Sequence, residues 1–185
     1  MTAGRSIVQI DAGRLRMFSC RRPYRAFYEL QRMPANPSAP SHEDVCLPAG
    51  GPVVVAGLGC RRGCTAAALR ELVEGSLDEH GLDLSCIRAL ASIDLKGNEP
   101  GLLELAEQLK VPLILFNAAR LLPFEPQLTY RSHLAFTRTG CHGVAESAAL
   151  ALVTQLTGGA ARLLISRRKS PSATFALACA PVIGG

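Results

Sequence analysis

The chain has 185 residues, 48% of them hydrophobic and 19% charged, with 20 Lys and Arg against 15 Asp and Glu for a formal charge of +5. A chain this apolar can bury enough surface to offset its conformational entropy, which excludes disorder throughout. No apolar run approaches the roughly 20 residues a bilayer requires, and with no Trp and 5% aromatics the chain lacks the rings that stack single-stranded bases.

Residues 1–50 carry seven Arg and four acidic residues, +3, whereas residues 51–185 carry only +2. The leader closes with Pro34, Pro37 and Pro40 in a stretch that reads as an extended linker. Two regions are therefore expected: an Arg/Pro-rich, poorly ordered extension over 1–50 and one α/β domain over 51–185. The seven cysteines, Cys20, Cys46, Cys60, Cys64, Cys86, Cys141 and Cys179, are odd in number and scattered behind no recognisable signal peptide. They read as reduced thiols of a cytoplasmic protein.

From Pro52 the pattern changes. Pro52–Ala56 is a short β-branched run bounded by Gly, the mark of a buried strand. A glycine loop follows, Gly57-Leu-Gly-Cys-Arg-Arg-Gly63, and then a helix capped by Thr65, stopped near Gly81, with Leu69, Leu72, Val73 and Leu77 on one face. Ala89–Leu95 predicts a second strand. Asn98-Glu-Pro100 opens a second helix lined by Leu102, Leu105, Ala106 and Leu109. Pro112–Phe116 is a third strand, and residues 117–138 read as a long connection with one helical turn over Ala118–Leu122. A small-residue helix opens at Gly140-Cys-His-Gly-Val-Ala-Glu146 and stops at Gly158-Gly159. Arg162–Ser166 and Ala173–Ala180 close the chain as a hairpin. The order predicts a single three-layer α/β domain, its largely parallel sheet ending in an antiparallel hairpin.

In such a sheet, ligands bind outside the carboxyl ends of the parallel strands. Arg61 and Arg62, then Lys96, then Arg167, Arg168 and Lys169 are all expected at that edge, where guanidinium forks and helix N–H groups suit carboxylate or phosphate. The loop lacks the Gly-Lys-Ser/Thr of a phosphate loop and matches a dinucleotide fingerprint poorly. Asp94 and Glu146 are the candidate acid-base pair, with His142 a further candidate base. Cys60, beside two Arg near a helix start, reads either as a packed thiol or as one of lowered pKa. Cys60-x-x-x-Cys64 and Cys141-His142 do not make a zinc pattern. No motif calls for a resident cofactor or metal.

Gly57-Leu-Gly-Cys-Arg-Arg-Gly63, Ser92-Ile-Asp-Leu-Lys96 with Asn98-Glu-Pro-Gly-Leu102, Gly143-Val-Ala-Glu-Ser147 and Arg167-Arg-Lys-Ser170 stand in the order seen in the family of the cobalamin biosynthesis protein CobE and the C-terminal domain of CbiG. The resemblance covers about Pro52 to Pro181. It implies a part in cobalamin (vitamin B12) biosynthesis, a corrin or precorrin intermediate as ligand, and other enzymes of the pathway, such as a precorrin methyltransferase, as partners; neither nucleic acid nor membrane is expected. The larger CbiG is a cobalt-precorrin-5A hydrolase that opens a ring lactone, and it has a further N-terminal domain that the short leader here does not resemble. Binding of a precursor for its modification or transfer is the leading expectation, lactone hydrolysis is the alternative, and a nucleotide-binding module using the glycine loop is a third. The expected ligand-binding residues are Gly57, Gly59, Cys60, Arg61, Arg62, Gly63, Thr65, Lys96, Glu99, Arg168, Lys169 and Ser170, with apolar loop surface for the ring supplied around Leu121, Leu122 and Phe124.

Overall fold

A computed structural model describes residues 53–180 in full, and of the leader the backbone of residues 7–11 and 14–17. Strands β1 (Ile7–Asp11) and β2 (Arg14–Met17) form an antiparallel hairpin. They are followed by β3 (Val54–Cys60), α1 (Ala66–Asp78), β4 (Ala89–Ile93), α2 (Pro100–Leu109), β5 (Leu113–Phe116), α3 (Ala118–Leu121), α4 (His133–Thr139), α5 (Val144–Thr157), β6 (Arg162–Lys169) and β7 (Ala173–Cys179). One sheet runs in the order β2-β1-β5-β4-β3-β7-β6. Apart from its β1–β2 hairpin, the extension expected over 1–50 lies outside the described residues.

Strands β3, β4 and β5 lie side by side and parallel. Strand β7 pairs antiparallel with β3, and β6 antiparallel with β7, so β6 again points the same way as β3. The carboxyl ends of β3, β4, β5 and β6 therefore share one edge, as the charged strand ends required.

Strands β3, β4, β5 and β7 are buried on both faces, which is why they are apolar without alternation. On one face α1 and α2 cover Val54, Leu58, Leu90, Leu113, Leu115 and Phe175 with Leu69, Val73, Leu102 and Leu105. On the other, α5 covers Val55, Ala91, Ile114 and Phe116 with Ala148, Ala149, Leu152 and Val153. Residues Val144 to Val153 of α5 are all buried, because α3 and the following 3-10 turn, Leu122–Gln127, lie over its outer side. A helix apolar all round needs such a cover.

Local signals account for most boundaries. Thr65 caps α1 by accepting the Ala68 N–H, Pro100 opens α2, and Gly158 ends α5 at φ 64°. Strand β4 stops at Ile93, two residues before its expected end, because Asp94–Lys96 forms a 3-10 turn in which the Asp94 carboxylate accepts the Leu95 N–H at 2.8 Å. Helix α5 starts at Val144 and not at Gly140. Gly140, at φ 72°, is the left-handed cap of α4, an additional helix in the segment that reads from sequence as a connection.

Candidate functional site

A cleft of about 650 Å³ opens at the shared strand edge. Its floor is the carboxyl end of β3 with the N-terminus of α5 (Gly59, Cys60, Gly143, Val144, Ala145). One wall is α4 with its cap (Ser132, Leu134, Ala135, Arg138, Thr139), and the other is the β6–β7 hairpin (Arg167, Lys169, Ser170 to Thr174). Arg61, Lys96, Arg138, Arg167 and Lys169 all line it. Among lining residues the one carboxylate is Glu146.

The turn of the hairpin is pinned to the glycine loop. The Arg61 N–H donates to the Ser172 carbonyl at 2.8 Å, the Ala173 N–H to Ser170 Oγ at 3.1 Å, and Cys64 Sγ lies 3.5 Å from Ser172 Oγ. On the other side, Glu99 is buried and accepts the Gly63 N–H on one carboxylate oxygen, while its second lies 3.5 Å from Lys96 Nζ. Glu99 thus joins the loops after β3 and β4 and holds Lys96 at the cleft.

Of the residues expected to bind a ligand, Gly59, Cys60, Arg61, Lys96, Lys169 and Ser170 line the cleft. Gly57, Arg62, Gly63, Thr65, Glu99 and Arg168 do not. The glycines have packing duties instead: a Cβ on Gly57 would stand 1.8 Å from the Ala145 carbonyl oxygen, so this glycine lets α5 approach β3, and Gly63 gives its N–H to Glu99. Thr65 caps α1, so the helix N-terminus facing the cleft is that of α5. Arg168 turns to the opposite face of β6 and pairs with Glu79 at 2.9 Å beyond the end of α1, with its Nε buried and without a hydrogen-bond partner. The ladder of β6 shifts register between Leu163 and Ile165 and again between Ile165 and Arg168, and these irregularities decide which of the two adjacent arginines reaches the cleft.

The two expected acid-base carboxylates are placed differently. Asp94 lies outside the lining, with one carboxylate oxygen accepting the Leu95 N–H. Glu146 lines the cleft wall but is 0% exposed, and its two oxygens accept the Thr129 N–H, the Thr129 hydroxyl and the Arg167 N–H. That carboxylate fastens residue 129 and β6 to the first turn of α5, where a negative charge is also favoured by the helix dipole. Arg167, held by its backbone, lays its guanidinium 4.7 Å over the Tyr130 ring. Burial pushes the Cys60 thiol up to about 12, which leaves it a packed thiol and not a nucleophile.

A pair missed as a pair in the sequence does face the cleft. His142 lines it, with Nδ1 2.8 Å from Glu125 Oε1, and the same oxygen accepts the His142 backbone N–H at 2.9 Å. Those bonds hold the Glu125 carboxyl below the usual glutamate range, the backbone N–H contributing most. The imidazole stacks on Phe136 with centroids 4.3 Å apart and meets His133 edge-on at 5.8 Å. Arg138 was also missed; it lies on α4, the helix not read from sequence. The apolar surface differs too: Leu121 is buried in the core and neither Leu122 nor Phe124 reaches the lining, whereas Leu134, 60% exposed, does.

Comparison with known proteins identifies this arrangement. Residues 54–178 match the family described as Cobalamin synthesis G C-terminus. Protein CobE of Sinorhizobium sp is 38% identical over 125 residues, which cover 68% of this chain and 79% of CobE. A cobalt-precorrin-5A hydrolase of Priestia megaterium is 33% identical over 129 residues, 70% of this chain but only 33% of the hydrolase. Among solved structures, that of CobE, a protein from the cobalamin (vitamin B12) biosynthetic pathway, superposes with a TM-score of 0.69 at 46% identity, covering 74% of this chain and 98% of that one. The matched residues hold every strand end and both helices that build the cleft, and the chain belongs to the Cobalamin synthesis G C-terminus family, as a cobalamin-biosynthesis protein of the CobE type.

Proposed function

We propose that the cleft binds a polycarboxylate corrin-ring precursor and presents it for modification or for transfer to another enzyme of the pathway. The observation that carries this reading is the convergence of Arg61, Lys96, Arg138, Arg167 and Lys169 on one cleft whose single carboxylate is committed to three internal donors. Precursors of this class bear many carboxylate side chains around a flat ring. Guanidinium and ammonium groups bind those carboxylates through charge-assisted hydrogen bonds, and Leu134 with the α5 end of the cleft offers apolar contact to the ring. The volume falls within the roughly 300–1,000 Å³ of small-molecule sites.

A nucleotide is the poorer ligand. A phosphate cradle needs free loop N–H groups, yet the N–H groups of Arg61, Gly63 and Cys64 donate to Ser172, Glu99 and Arg61 within the protein.

Titration with hydrogenobyrinic acid, followed by the change in its absorbance, tests the proposal. Binding at micromolar pigment is expected, weakened about tenfold or more by Arg61→Ala combined with Lys96→Ala, in line with loss of two charge-assisted contacts. Arg62→Ala and Arg168→Ala, whose side chains lie outside the cleft, should leave affinity unchanged. No spectral change at micromolar pigment, or equal losses from the Arg62 and Arg61 variants, would sink the reading.

A further inference from the structure

Among the described residues, His142 is the one histidine that lines the cleft, and its two ring nitrogens are in opposite situations. Nδ1 lies 2.8 Å from Glu125 Oε1, an oxygen that also accepts the His142 backbone N–H. Those bonds keep the carboxyl ionised, and an ionised carboxylate only accepts, so Nδ1 carries a proton. Nε2 makes no hydrogen bond among the described residues. Stacking on Phe136 and the double hold of Glu125 on ring and backbone fix the imidazole plane. With Nδ1 committed as a donor, the ring has one way left to change charge, gain or loss of a proton at Nε2. Imidazole is the side chain that makes this change between pH 5 and 8. The neighbouring Cys60 and Cys141 thiols are pushed up by burial and stay neutral there.

The charges around the ring oppose one another. Glu125 favours the imidazolium. Arg131, which donates to the Glu125 carbonyl, and Arg138 on α4 disfavour it. So do Arg61 and Lys96, from the loops after β3 and β4, and Arg167 and Lys169 at the end of β6, all in the same cleft. His133 meets the ring edge-on from α4, and Glu146 on α5 is buried with its oxygens bonded to Thr129 and Arg167. A ligand with several carboxylates changes that balance, because it neutralises the cations and brings an acceptor to Nε2. We infer that His142 is a proton-linked binding residue of the cleft: on entry of the polycarboxylate, Nε2 takes one proton from solvent and donates it, as a charged N–H, to a ligand carboxylate. The inference rests on reading the cleft as a polycarboxylate site and adds a sixth cation to it, one that is completed in the complex. Glu125 is the positioning residue, since it orients the ring and offsets its charge. Linkage fixes the direction: the complex holds more protons than its free parts, so affinity is highest at low pH and falls as the pH rises through the range in which the ring titrates.

Isothermal titration of the full chain with hydrogenobyrinic acid at pH 7, repeated in buffers of different ionisation enthalpy, measures the protons taken up. Wild type is expected to take up about half a proton or more per pigment beyond His142→Gln, whose amide cannot be charged. Wild-type affinity should fall about tenfold or more from pH 6 to pH 8.5, and that of His142→Gln by less than about threefold, the two meeting at the alkaline end. Glu125→Gln, which keeps an acceptor oxygen and loses the charge, should lower proton uptake and flatten the pH profile; an equal loss of affinity at every pH overturns its part. His133→Ala, outside the lining, should leave proton uptake unchanged, and a loss there overturns the assignment to His142. Ring ¹⁵N shifts of the wild-type protein make the test independent of how the variants fold: on addition of pigment at pH 7.5, Nε2 of His142 should move from the range of an acceptor nitrogen towards that of a protonated one. Pigment bound with an affinity indifferent to pH and an unaltered Nε2 overturns the proton link and leaves the binding site standing, whereas failure to bind pigment at any pH removes both.

Discussion

Gly57 lies in the middle of β3, paired with Ala91 and Ala176, where the sequence reads as the start of a loop. Its neighbour in space is the Ala145 carbonyl, whose oxygen lies 1.8 Å from where a Cβ would sit, with Ala149 Cβ at 3.0 Å, so Gly57→Ala must push the first turns of α5 away from β3. Backbone atoms yield less than side-chain ends, and a loss of about 1–3 kcal/mol is expected, the range for overpacked cores. Chemical denaturation should show a lower midpoint at unchanged slope, and a neutral result would mean that α5 shifts freely. Glu125 gives a pH signature. Its folded-state pKa lies below the ordinary 4.5, so the stability it adds is present above that value and is lost as the pH falls through the lower folded-state value. Thermal melts of wild type and Glu125→Gln taken from pH 6 down to pH 3 should converge at the acid end. Parallel curves would show that the bond to His142 contributes nothing to folding.

Helix α4 is short, seven residues, and buries none of them. It stands on its caps: Ser132 Oγ accepts the Ala135 N–H at 3.2 Å, the Ser132 N–H donates to the His142 carbonyl, and Gly140 closes the end. Ser132→Ala should cost about 1 kcal/mol locally. Because the helix shares little of the core, that loss should appear as faster hydrogen exchange over residues 135–139 and weaker pigment binding, with the global melting temperature almost unmoved; a cooperative drop in melting temperature would place α4 within the folding unit. The same physics explains why α4 is illegible in the sequence. Periodicity marks helices that turn a face to the core, as α1 and α2 do, and α4 has no such face. Its stop signal at Gly140 reads in the sequence as the start of the next helix. The central strands are legible because both their faces are buried, and their carboxyl ends are legible as a charged rim. Which arginine of Arg167 and Arg168 enters the cleft is not, since two register shifts in β6 break the alternation that a strand would otherwise impose.

At the scale of the molecule, the net charge conceals a separation. Of the 13 basic residues after residue 50, five line the cleft, which leaves eight against ten acidic residues elsewhere in that region. The body of the domain is thus slightly negative and the cleft strongly positive. Sequence could place four of those cations at strand ends, but the joining of Glu125 to His142 across 17 positions and the capture of Glu146 by Thr129 and Arg167 depend on how the connection folds back over α5. A field arranged this way draws a polyanion to one face and repels it from the rest, and its reach is set by ionic strength, about 10 Å at 0.1 M and about 3 Å at 1 M. Association of hydrogenobyrinic acid should therefore slow by about tenfold or more between 0.01 and 1 M salt, while dissociation changes less, since steering acts on encounter and the short contacts are screened little. Stopped-flow absorbance separates the two rates. An association rate indifferent to salt would mean that apolar contact with the ring, and not the five cations, selects the ligand, and the double substitution of Arg61 and Lys96 should then leave that rate untouched as well.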